Sequence, residues 1–410
     1  MRVIRYNLEL IQPVLIPDPQ GEANSAISLP YLPGSLLRGG LIGLYRQAFD
    51  ATDADIRALF LGDATRYLNA YPVKDGQRAL PVSAAWRYDK RAKVEGDKAQ
   101  RTIYNFAHTL QELQEESIDA NFIWLKEEGS QGERFSPPRQ VNVHTLRNAR
   151  KGRAVPRDRK TGKYDTDAGT VYRYDALVAG LMLQGMILTE ADEQLADKLI
   201  TLLQQHETLW IGRARRAGYG EVRITVVEDD GRRENGGYNR PEAPQGLQLM
   251  LTSDALLRDE WGQTTLDPSV AVAELLGLPH TTFKLKADSA FLTARVVGGF
   301  NRKWGLLLPR TLALAAGSTF DLESAEPLST EQLEQLEQHG IGERRNEGFG
   351  QLLVRADERA EIHSERWEPQ FSPVQLNLSE SEKKLAQTLA ERLLRRKLED
   401  ELRQLVNRIE

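Results

Sequence analysis

Two arginine-bearing glycine loops hold the residue types best suited to chemistry in this chain, and that chemistry is anion binding. Ile211-Gly212-x-x-Arg215-x-x-Gly218-Tyr219-Gly220 recurs in register as Ile341-Gly342-x-x-Arg345-x-x-Gly348-Phe349-Gly350. Glycines at both ends permit positive φ and let a ligand approach the backbone. Successive N–H groups in such a turn form a concave anion site. Arg213, Arg215 and Arg216 in the first copy, and Arg344 and Arg345 with Asn346 in the second, offer donors that match phosphate oxygens. Tyr219 and Phe349 are placed either to pack beneath the loop or to stack on a base. Taken singly, each segment is equally an ordinary tight turn with solvated arginines. Repetition in register argues for a duplicated unit.

The flanking elements repeat as well. Each loop follows an amphipathic helical stretch and runs into an apolar strand, Glu221-Val222-Arg223-Ile224-Thr225-Val226 or Gln351-Leu352-Leu353-Val354-Arg355. Helix, basic loop and strand, twice, predict an α+β protein. Residues 2–11 alternate as a first strand, and a proline-punctuated loop follows. Then Leu32-Pro33-Gly34-Ser35-Leu36-Leu37-Arg38-Gly39-Gly40 opens a helix, with Ser35 as its expected N-cap. Gly39, Gly40 and Gly43 inside that helix cost roughly 1 kcal/mol each relative to alanine, so a neighbouring element or RNA is expected to come close there. Residues 177–188 read as a buried strand, with Thr189 capping the next helix. Residues 229–246 read as a linker, 247–253 and 291–297 as strands, and Ser329–His339 as a capped helix. Gly298-Gly299-Phe300-Asn301-Arg302-Lys303-Trp304 pairs glycines and bases with two aromatics. Residues 379–410 form a helix with a leucine stripe that packs on its own domain or on a partner.

The chain has 410 residues, enough for two domains plus insertions. Zero cysteines exclude disulfides and thiolate metal sites and suit the cytoplasm. No apolar run is long enough to span a bilayer, and the N-terminus has no signal-peptide core. Net charge is −5, yet residues 144–163 carry eight Lys/Arg, including Arg147, Arg150, Lys151 and Arg153, against the single Asp158. That stretch, poor in apolar residues, reads as a protruding hairpin or loop, expected to be mobile in the free chain and to fall on phosphates, the alternative being a solvated loop. His206 and His339 stand at helix ends, where a charged imidazole would suit the dipole. His108 and His144, near basic residues, are the better candidates for acid–base chemistry. No metal-ligand spacing or cofactor fingerprint occurs, so neither metal nor cofactor is expected.

With these elements in place, the chain resembles the RAMP superfamily of CRISPR-associated proteins. The resemblance is carried by Leu32-Pro33-Gly34-Ser35-Leu36-Leu37-Arg38-Gly39 and by the loops ending Gly-Tyr-Gly-Glu-Val and Gly-Phe-Gly-Gln-Leu. It looks most like the Cas-five-type subunit that binds the crRNA 5′ handle in type III, subtype D, effector complexes. The resemblance implies two ferredoxin-like (RRM-type) modules: residues 1–228 with an insertion at about 53–175, and residues 247–370, followed by a helical tail at 371–410. It implies a non-catalytic subunit that grips crRNA and caps the backbone filament beside a large polymerase-type subunit and RAMP backbone subunits, with target RNA nearby. The residues it assigns to RNA are Gly34, Ser35, Arg38 and Gly39, the basic stretch from Arg147, the loop Arg213–Gly220 and the loop Arg344–Gly350. Some RAMP proteins cleave precursor RNA, so a metal-independent endoribonuclease is the alternative.

Overall fold

Alternation in the first strand, β1 (Arg2–Leu10), buries Ile4, Tyr6, Leu8 and Leu10 and leaves the residues between them partly exposed. The structure, a computed structural model, describes residues 1–18, 25–91, 100–107, 114–126, 130–146, 161, 170–227, 246–301, 304–355, 359–369 and 379–409. His108, Arg147, Arg150, Lys151, Arg153 and residues 229–245 of the expected linker lie outside the described residues.

The first half adds β2 (Tyr71–Lys74), β3 (Met182–Thr189) and β4 (Glu221–Val227), in the antiparallel order β4-β1-β3-β2. Helix α1 (Gly34–Ala48) lies between β1 and β2 in the chain, and α2 (Glu193–Gln205) between β3 and β4. Leu37, Leu41 and Tyr45 of α1 and Leu199, Leu202 and Leu203 of α2 share one core with the buried face of β1. The second half repeats the path. It runs β5 (Gly246–Leu251), α3 (Ser269–Leu276), β6 (Phe283–Leu285), β7 (Thr319–Ser324), α4 (Thr330–His339) and β8 (Leu352–Arg355), with strand order β8-β5-β7-β6. Both halves are therefore β-α-β-β-α-β with the first strand central. Apolar period-2 and period-3.6 patterns put their cores in the same place.

A further sheet sits between the halves. Phe122–Leu125, Gln131–Phe135, Gln100–Asn105 and Trp86–Asp89 come from the insertion, and Glu361–Arg366 joins them, parallel to Gln131–Phe135. Its core of Trp86, Tyr88, Ile103 and Ile123 packs on Met250 and Leu353. Those two side chains leave β5 and β8 on the face opposite Leu249 and Leu352, so the second sheet is covered on both sides.

Several local expectations are corrected. Ser35 does not cap α1; the cap position is Pro33, two residues earlier, and the Asn69 side chain accepts from the Gly34 N–H at 3.1 Å. Asp192, not Thr189, caps α2. The strand expected at 177–188 begins at Met182, because Val178–Leu181 turn to meet the end of β1. Ser329 does cap α4, in a capping box with Gln332. Residues Met1–Phe371 form one compact unit and Ser372–Glu410 another. The second unit holds helix α5 (Glu380–Ile409), on which Leu385, Leu389, Leu393, Leu394, Leu398 and Leu402 are exposed. No helix among the described residues is long and apolar enough to cross a membrane.

Candidate nucleic-acid interface

The two glycine loops share one backbone geometry. Ala214 and Arg344 occupy the left-handed region at φ 64° and 56°, a single 3₁₀ turn follows (Arg215–Ala217 or Arg345–Glu347), and Gly218 or Gly348 closes it. Among the described residues only Asp75 is another non-glycine with positive φ. Ile211 N donates to Gly220 O at 2.8 Å, as Ile341 N does to Gly350 O at 2.9 Å. Arg213 N donates to Leu15 O and Glu343 N to Leu256 O, both at 2.9 Å, tying each loop to the segment that follows its central strand. Repeated strain at equivalent positions marks an inherited device rather than a chance turn.

The surroundings of the two loops differ. In the first, Arg213, Arg215 and Arg216 are exposed, and among the described residues no carboxylate pairs with them. The Arg215 guanidinium lies 4.3 Å from the ring centre of Trp210, which is itself 39% exposed. A Cβ at Gly218 would meet nothing within 4 Å, so its backbone faces open space. In the second, Arg345 pairs with Asp63 at 3.0 Å, and Asn346 donates to Leu61 O at 3.1 Å. Arg344 pairs with Glu347, which also holds Arg38 of α1 at 2.9 Å. Gly348 is pressed against the Tyr67 carbonyl. The second loop thus docks the halves together, with its cations already neutralised, while the first is open to an anion.

The other expected site residues divide in the same way. Gly34 is packed against the Tyr67 carbonyl, and Arg38 also donates to Phe60 O at 2.7 Å; both serve the junction. Ser35 is partly exposed. At Gly39, Gly40 and Gly43 a Cβ would meet nothing within 4 Å, so among the described residues no element fills that face of α1 and a ligand backbone can approach it. Tyr219 is 3% exposed and packs beneath its loop, so its ring does not reach a base. Phe349 is likewise half-buried, under the Arg344 guanidinium. His339 is not the charged helix cap expected: burial first, and then Arg66 beside it, lower its pKa and favour the neutral ring. Among the described residues no His/Asp/Glu cluster is placed to hold a metal ion.

Residues 7–223, over half the chain, match the RAMP superfamily. The chain belongs to that superfamily. RAMP proteins are CRISPR-associated RNA-binding proteins. No curated protein sequence matches the chain. Among solved structures, it is similar to a chain of the type III-B Cmr-beta complex bound to cognate target RNA and AMPPnP, at 14% identity, 77% of this chain, 86% of that one and a TM-score of 0.39. It is also similar to a CRISPR-associated Cas6 protein (9%, 87% and 100%, 0.32) and to a Cas6-related protein from Pyrococcus furiosus (8%, 86% and 98%, 0.35). At these TM-scores the structures decide neither subunit type nor activity.

Sequence reading captured only parts of a pair of ribbons in this RAMP protein, a hairpin or loop at 144–170 and one strand at 291–297. Arg139–Leu146 pairs antiparallel with Thr170–Leu177, and Ala294–Asn301 with Leu306–Leu314. Each rises between the third and fourth elements of its half, and each is anchored alike, by Val14 to Leu177 and by Ala255 to Leu314. The basic stretch from Arg147 belongs to the chain between the first pair of strands. The signal was available in the strict alternation of Gln140, Asn142 and His144 against Tyr172 and Tyr174, obscured by the long polar connection between them.

Proposed function

We propose that this RAMP protein is a non-catalytic RNA-binding subunit of a type III CRISPR effector complex that grips the 5′ handle of crRNA, built on two ferredoxin-like modules. The observation that carries the reading is the asymmetry between the loops. Duplicated, strained backbones are kept in both, yet only the first presents three exposed arginines over an open glycine backbone. Guanidinium forks over a backbone that a ligand can approach closely are what phosphodiesters require. The open glycine face of α1 suits a second stretch of the same backbone. The motifs quoted above favour the handle-binding branch, with the large polymerase-type subunit and RAMP backbone subunits as its partners.

One observation favours a second reading, a metal-independent endoribonuclease: His144 sits in a polar aromatic cluster beside the first loop, with its Nε2 2.9 Å from the Tyr219 hydroxyl. Incubation of purified protein with repeat-derived RNA in EDTA separates the two. Stable binding of intact RNA is expected. Cleavage that disappears in His144→Ala would overturn the non-catalytic reading.

A further inference from the structure

The two ribbon-and-loop assemblies provide an internal control for what the fold requires. In the second, Val297, Ala313, Leu256 and the Phe349 ring pack together. In the first, the equivalent apolar contacts are Leu15, Ala176 and the Tyr219 ring. Around them the first assembly adds polar groups that the second dispenses with. Asn142, opposite Tyr174, stands where Val297 stands opposite Thr311. Past a register shift between Val297 and Gly299, the cross-strand pair Gly299–Leu308 stands in the place of His144–Tyr172, and the Tyr219 hydroxyl corresponds to nothing on Phe349. The second ribbon, even with that shift, is joined to its loop without any of these atoms, so the anchored ribbon and loop do not require them.

They converge on one face of the ribbon. The His144 and Tyr172 rings are near parallel, 17° apart with centroids at 5.5 Å, and Tyr174 leans on both at 4.7 and 5.0 Å. His144, Tyr172 and Tyr174 are each partly exposed. Asn142 Nδ2 donates to the Tyr219 hydroxyl oxygen at 2.8 Å, and that hydroxyl lies 2.9 Å from His144 Nε2. With Asn142 donating to it, the Tyr219 hydroxyl has its own proton to give to Nε2, and in that tautomer the imidazole proton is on Nδ1. In that tautomer Nδ1–H has no partner among the described residues and is a donor oriented beside aromatic faces. Burial first, and then the neighbouring Tyr172, keeps the Tyr174 hydroxyl protonated above its ordinary range. The exposed arginines of the first loop stand next to this face, since Tyr219 belongs to both.

We propose that the ribbon face formed by His144, Tyr172 and Tyr174 binds one unpaired nucleobase of the RNA, stacked on an aromatic ring with an acceptor on its edge meeting His144 Nδ1–H. Aromatic faces with an oriented donor next to a phosphate-binding loop are the composition of a single-stranded nucleotide site. This rests on the reading that the first loop holds RNA backbone, and adds a base-selective contact to it. The internal comparison also predicts that the second ribbon, with Gly299, Leu308 and Thr311 at these positions, has no such site.

The test is an abasic scan of repeat-derived RNA, with affinities measured for the full-length protein. At one nucleotide, removal of the base should weaken wild-type binding about tenfold, in line with one lost base–aromatic stack. Tyr172→Leu should bind intact RNA with the same deficit and be indifferent to the abasic site. His144→Phe, which keeps a ring and removes the donor, should retain the abasic penalty and lose preference among the four bases there. Arg213→Ala/Arg215→Ala/Arg216→Ala is the control for the underlying reading. If that triple variant is impaired while no abasic position matters and Tyr172→Leu binds normally, the base site is refuted and the backbone grip stands. If the triple variant also binds normally, both fall. RNA cleavage that depends on His144 would reassign the cluster to catalysis and overturn the proposal.

Discussion

Alanine at Gly218 and at Gly350 should have opposite consequences, although the two glycines belong to copies of one motif. Both have positive φ, 83° and 72°. A left-handed L-residue costs roughly 1–2 kcal/mol, and loss of unfolded-state freedom returns about 0.4–1 kcal/mol. At Gly218 nothing else is charged against the fold, because the new Cβ meets no atom within 4 Å. The net loss is about 1 kcal/mol or less, a fall in Tm of roughly 2 °C for a chain of this size. At Gly350 the Cβ would collide with the Ile341 carbonyl oxygen. Relief requires opening the Ile341 N–H bond to Gly350 O at 2.9 Å, which closes the loop. Adding a hydrogen bond and displaced packing gives about 3–5 kcal/mol, roughly 10 °C. For RNA the order reverses. A methyl on the open face of Gly218 holds phosphate off the loop and should weaken binding about tenfold, the value of one charge-assisted bond. Thermal melts and fluorescence anisotropy with repeat-derived RNA measure both effects. Equal destabilisation by the two alanines would refute the packing argument, and normal RNA affinity in Gly218→Ala would refute the assignment of the first loop to ligand.

Arg38→Ala should destabilise the protein by about 1.5–3 kcal/mol, since it removes the donor to Phe60 O and the partner of Glu347, while leaving the salt dependence of RNA binding unchanged; a reduced slope would put Arg38 on RNA after all. Tyr219→Phe should fold and lose no more than about 1.5 kcal/mol, because Phe349 fills the equivalent place in the second loop; equilibrium urea unfolding measures it, and a larger loss would show that the first loop needs the hydroxyl to fold. His339 has a lowered pKa, so between its folded value and about 6.5 the unfolded chain binds more protons, and stability is present above that window and lost as pH falls through it. The groups facing the ring are Arg66, Glu190, Arg345 and the N-terminal amine. His339→Gln should therefore show a smaller fall in Tm between pH 7 and pH 5 than the wild type; an equal or larger fall would contradict the sign.

Much of the frame was legible because period and punctuation are local properties. The alternation of β1, the capping box at Ser329 and the repeated glycine pattern each specify backbone over a few residues. The opposite fates of the two loops were not legible. Their sequences differ at Arg-Ala-Arg-Arg against Glu-Arg-Arg-Asn, but the decisive partners, Asp63, Leu61 and Arg38, lie about 280 to 310 residues away in the chain and reach the second loop only through the junction. The cap of α1 was missed for the same reason, as Asn69 supplies from a distance what Ser35 offers nearby. The cluster at His144 also depends on pairing across the ribbon, which sets Asn142 opposite Tyr174 and His144 opposite Tyr172.

The most direct measurement is the salt dependence of RNA binding for two variants side by side, Arg213→Ala/Arg215→Ala/Arg216→Ala and Arg344→Ala/Arg345→Ala. Each phosphate contact on single-stranded RNA contributes about 0.7 to the slope of log K against log salt. The account predicts a slope smaller by about 2 for the first variant and an unchanged slope for the second, which should instead lose thermal stability. An unchanged slope in the first variant, or an equal reduction in both, would contradict the claim that the first loop alone is the grip.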